Sequence, residues 1–98
     1  MSDHARYHFS VTVHTDDLPV VGCLRALADF SQRIGNKRIS WGGTKDDDWR
    51  RDGNRVTFRF STNQYREGFL SEVQRLLPTE LWRAATIRDD DPATPQAR

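Results

Sequence analysis

Apolar and polar residues alternate along residues 7–14. Tyr7, Phe9, Val11 and Val13 fall on one side, and His8, Ser10, Thr12 and His14 on the other. A period of two predicts a half-buried strand. The run Asp16-Asp17-Leu18-Pro19 then breaks the pattern; Asp17 suits a helix cap and Pro19 a first helical turn. Val20, Cys23, Leu24, Leu27, Phe30 and Ile34 recur at three- and four-residue steps, the apolar stripe of a helix, and Gly35 suits its C-terminal end. A short second strand is predicted over residues 37–43, with Ile39 and Trp41 inward. Asp52-Gly53-Asn54 is a turn signal. The next alternation, residues 55–61, points Val56, Phe58 and Phe60 one way and Arg55, Thr57 and Arg59 the other. Ser61 with Gln64, or Thr62 alone, can cap a second helix whose stripe is Tyr65, Phe69, Val73, Leu76 and Leu77, ended by Pro78. A weaker last strand over residues 80–88 uses Leu81, Trp82 and Ile87.

The predicted order is β-α-β-β-α-β. Two helices must each cover an apolar sheet face, and the economical arrangement places both on one side of a four-stranded antiparallel sheet. The expected fold is therefore α+β, a ferredoxin-like sandwich over residues 7–88. Residues 1–6 are expected to be a flexible N-terminus. Residues 89–98, polar, proline-containing and without periodicity, are expected to be a disordered tail.

Gly22, Leu24, Leu27 and Phe30, followed by Gly35 and Ile39, resemble the first βαβ unit of ACT domains. Those are small ferredoxin-like regulatory modules that bind amino acids, usually at a dimer interface. The resemblance covers residues 7–41 and departs where Val21 stands in place of the family's proline before Gly22, and again at residues 36–39. It implies an amino-acid-sensing dimer.

Composition narrows the picture. The 98 residues suit one domain with a modest core, and the formal net charge of +1 gives no global pull toward nucleic acid. The charge is uneven, however: residues 33–66 hold nine basic side chains against four acidic ones. Cys23 is the only cysteine, and no apolar leader or membrane-length run is present, so a cytoplasmic setting is expected.

Catalytic chemistry finds no foothold. Asp46, Asp47 and Asp48 are hard oxygen ligands, but the spacing of a calcium loop would put Arg50 and Arg59 where carboxylates are needed. His8 and His14 share one strand face about 20 Å apart and cannot meet on one ion. Cys23 falls on the helix stripe and reads as a small buried hydrophobe. No nucleophile elbow or phosphate loop occurs. No enzyme activity, metal or cofactor is expected.

A small non-enzymatic module acting by protein–protein contact is the leading expectation: an inhibitor, adaptor or regulatory subunit, of a size common among phages and mobile elements. Its partner is another protein or a second copy. Residues 44–54 are expected to form a long loop. Trp49 with Lys45, Arg50 and Arg51 has the residue mix of an interaction hot spot, although a Trp49 folded back over the sheet edge is equally compatible with the sequence. Arg38, Arg55 and Arg59 add a basic outward sheet face. That face is also the basis of an alternative, a nucleic-acid-binding module, although it lacks aromatic rings for base stacking.

Overall fold

The computed structural model describes residues 6–31 and 46–92. Along the chain lie β1 (Phe9–His14), α1 (Leu18–Ser31), α2 (Asp46–Arg51), β2 (Arg55–Phe60), α3 (Asn63–Leu76), a 3-10 turn (Thr79–Leu81) and β3 (Arg83–Arg88). The strands make a three-stranded antiparallel sheet in the order β2-β1-β3.

This corrects the predicted fold class. The expected four-stranded ferredoxin-like sandwich with two helices is not what forms. Among the described residues the sheet has three strands and there are three α-helices, in the order β-α-α-β-α-β. The strand predicted over residues 37–43 lies outside the described residues. Residues 46–51, expected within a loop, are helical instead. The physical reason is local. Acidic residues at the start of this segment and Arg50 and Arg51 at its end complement the helix dipole. Arg50 pairs with Asp47 at 3.6 Å, and Arg51 pairs with Asp48. Gly53 (φ +69°) then adopts the left-handed conformation, and Asn54 N–H closes back on the Trp49 carbonyl at 2.8 Å, ending α2.

The core lies between the sheet and the helices. Val11, Val13, Val56, Phe58 and Phe60 from the sheet meet Val20, Val21, Leu24 and Ala28 of α1 and Phe69 and Val73 of α3. Phe69 sits between two strand rings, its centroid 5.2 Å from Phe58 and 5.3 Å from Phe60. Thr62 caps α3 by accepting from the Tyr65 N–H at 3.1 Å.

The helix stripes are rotated from the predicted ones. On α1 the buried set is Val20, Val21, Leu24, Ala28 and Ser31, while Cys23 is exposed and Phe30 is 61 % exposed. On α3 it is Arg66, Phe69 and Val73, and Leu76 is exposed. Small residues explain the first rotation: α1 packs chiefly against α3, and Ala28 and Ser31 let two backbones come close. Cys23, expected to be a buried hydrophobe, is therefore on the surface.

Thr15 ties the end of β1 to its surroundings. Its N–H donates to Asn54 O (3.1 Å) and its hydroxyl to Leu81 O (2.6 Å). Its hydroxyl also accepts from Asp17 N–H (3.1 Å), and its carbonyl accepts from the Trp49 indole (2.7 Å). Four parts of the chain converge on one buried residue.

Candidate functional site

Antiparallel register places directly opposed residues on the same face of a sheet. The face turned away from the helices therefore consists of three rows. Arg55, His14 and Arg83 form one end row, Thr57, Thr12 and Thr86 the middle row, and Arg59, Ser10 and Arg88 the other end row. At normal strand spacings the patch measures about 10 Å across the strands and about 14 Å along them. None of its nine positions is acidic, and His14 carries its one aromatic ring. The Thr12 and Thr57 hydroxyls bond to each other at 2.8 Å.

The two end rows differ. Arg55 and Arg83 are exposed and make no ion pair among the described residues. His14 lies 3.6 Å from Asp16, whose carboxylate also accepts from the Asn54 side chain at 2.9 Å. This row borders a cleft of about 560 Å³ lined by residues that include His14, Asp17, Glu80, Trp82 and Arg83. The Trp82 indole N–H there is buried with no hydrogen-bond partner among the described residues.

The other end row is covered by the chain itself. Asp91 N–H donates to His8 O at 2.8 Å, and His8 Nδ1–H donates to Asp89 O at 2.6 Å. Ser10 Oγ donates to Asp91 Oδ2 at 2.9 Å. Arg59 gives Nε–H to the Asp91 carbonyl at 2.9 Å and its terminal amino group to both carboxylate oxygens at 3.3 Å. Burial by itself would raise the Asp91 carboxyl. The Ser10 hydroxyl bond and the Arg59 guanidinium, with Arg88 beyond, more than reverse that and hold it below its ordinary value. From α3, Arg66 reaches the same segment, donating to Arg88 O at 2.8 Å and pairing with Asp89 at 2.8 Å.

β3 is the exposed side of the sheet. All six of its residues are exposed, and among the described residues it pairs with β1 alone. Register sets Ala84 and Ile87 toward the helix side and Arg83, Thr86 and Arg88 outward, with Ala85 bulged between them. No described helix packs substantially on β3, so Ile87 remains 51 % exposed.

The predicted site residues thus separate. Trp49, the expected leader of a docking loop, is only 8 % exposed and belongs to the core, so it offers no contact surface. Its ring fills the space beside β2 and its indole N–H is satisfied by Thr15. Arg50 and Arg51 remain exposed on α2, paired with aspartates one turn earlier. Arg55 and Arg59 do share the outward face, at opposite ends of β2. Lys45 and Arg38 lie outside the described residues. Sequence reasoning missed Arg83, Arg88 and Asp91. The first two sit in a strand whose facing its composition leaves ambiguous, and Asp91 is assigned to the tail. An alternation of Arg83, Thr86 and Arg88, matched to β1 through one bulge, is the signal that places the two arginines.

Among the described residues no three His, Cys, Asp or Glu side chains gather closely enough to hold a metal ion, and no helix is long and apolar enough to cross a membrane. The chain matches no family model, no curated protein and no solved structure.

Proposed function

We propose that this protein is a small non-enzymatic interaction module that takes an extended, acidic segment of a partner protein on the outward face and open edge of its sheet. The observation that carries this reading is β3, a strand exposed along its whole length, hydrogen-bonded among the described residues on one side, with an arginine at each end. An open edge presents backbone donors and acceptors to an added strand. Its side chains then select the occupant. Opposite Arg83 and Arg88 the added strand gains from carboxylates; beside Ile87, on the helix side, it gains from an apolar residue. The segment that fits alternates acidic and β-branched residues.

Charge also decides between occupants. Two copies of β3 paired antiparallel about their centre would set Arg83 against Arg88 at both ends, and like charges directly opposed are unfavourable. A second copy is therefore the poorer occupant. Nucleic acid would use the arginines but not the strand edge, and the face offers no Phe, Tyr or Trp ring for base stacking.

The test is titration of a peptide of alternating glutamate and valine. It should bind the natural protein, lose binding to the double variant Arg83→Glu, Arg88→Glu, and be replaced there by a lysine–valine peptide. Indifference to that charge exchange would end the proposal. Tight binding of a single-stranded oligonucleotide with a steep salt dependence, and none of the peptide, would put nucleic acid in its place.

A further inference from the structure

The row Arg59–Ser10–Arg88 has the chemistry expected to receive a partner's acid, yet an acid of the same chain occupies it. Ser10 projects outward from the central strand, a position that an uncovered sheet leaves open to water, yet it is 1 % exposed. The segment 89–91 provides the cover. Asp91 takes the Ser10 hydroxyl on one carboxylate oxygen and the Arg59 fork on both oxygens and on its carbonyl. Its own N–H is satisfied by His8. The opposite end row has matching basic groups, Arg55 and Arg83, with no such cover.

We infer that the Ser10–Arg59–Arg88 row is a carboxylate-binding cradle and that Asp91 is its built-in occupant, an internal competitor that an acidic ligand must displace. The competition rests on the acidic-partner reading above; the cradle itself does not. Exchanging one carboxylate for another alters little in direct bonding. The difference lies in effective concentration, which for a carboxylate tethered a few residues from its site is in the millimolar range. If the strap is released about a tenth of the time, an external acid binds about tenfold more weakly than to the open cradle. Arg66 lies behind the strap, largely buried, and anchors Arg88 O and Asp89 rather than the cradle. Removing the Asp91 carboxylate therefore leaves β3 in place.

The experiment uses the full chain with Asp91→Ala, and Asp91→Asn as the variant that keeps the shape and loses the charge. Acetate is titrated while the Arg59 Nε–H and Ser10 amide resonances are followed, and the glutamate–valine peptide is titrated separately. The expected result is acetate binding to both variants about tenfold tighter than to the natural protein, with a similar gain for the peptide. Equal acetate responses in all three proteins, or none in any, would overturn the cradle. Acetate accepted only by the variants, with no peptide binding to any protein, supports the cradle and sinks the acidic-partner reading.

Discussion

β2 and β3 flank the same central strand, each six residues long and each beginning with arginine. Their environments are opposite. β2 buries Val56, Phe58 and Phe60 under α2 and α3. No residue of β3 is buried, because no described helix packs substantially on it. Both strands carry alternating side chains and both pair antiparallel with β1. What separates them is the cover, and a strand's contribution to stability follows its cover more than its pattern. One flank of the sheet is built into the core; the other is left exposed.

The sharpest way to break this comparison is Phe58→Ala. Deleting a fully buried ring that packs on Phe69 should cost about 4 kcal/mol in urea unfolding. A cost near 1 kcal/mol would mean that β2 is no more central than β3. Trp49→Ala comes next. It removes a core ring and leaves the Thr15 carbonyl without its indole donor, and should cost about 3 kcal/mol. If this change left stability intact and altered only partner binding, the packed assignment of Trp49 would be wrong.

Thr15→Val keeps the side-chain shape but strands the Leu81 carbonyl and the Asp17 N–H, for a loss of about 2 kcal/mol. Amide exchange should then rise most at Leu81 and Asp17; a change confined to α3 would contradict the role of Thr15 as the tie. Acid titration probes the strap. Because the Asp91 carboxyl is held below its unfolded value, its contribution is complete above about pH 4 and is lost as pH falls through the folded value. Asp91→Asn should flatten that part of the stability profile, and an unchanged acid limb would show that the carboxylate has no favourable partners. The smallest effect belongs to Ile87→Ala. On the exposed strand it should change stability by less than about 0.5 kcal/mol. A loss approaching that of Phe58→Ala would reveal that β3 is covered after all.

Alternation identified β1 and β2 and the inward parity of Val11, Val13, Val56, Phe58 and Phe60, because a period of two leaves one face for the core. The α3 cap at Thr62 and the turn at Gly53 were legible for the same local reason. The ferredoxin-like arrangement was not a local property and did not survive. Nor was α2 apparent from periodicity, since six residues with one apolar side chain give it nothing to measure. Its signature is electrostatic: acids first, arginines last. Of the candidate site, Arg55 and Arg59 were legible through strand parity, whereas Arg83 and Arg88 needed a bulged register.

Sequence alone determined where strands and helices could form and which strand residues could face inward, since these depend on neighbours two to four positions apart. Only the tertiary structure decided that Trp49 turns into the core and that the helix stripes rotate toward Ala28 and Arg66. It also decided that an acidic run which reads as tail returns to the first strand. Asp91 meets Ser10 across 81 residues, and no local pattern encodes a bond between groups that far apart in the chain.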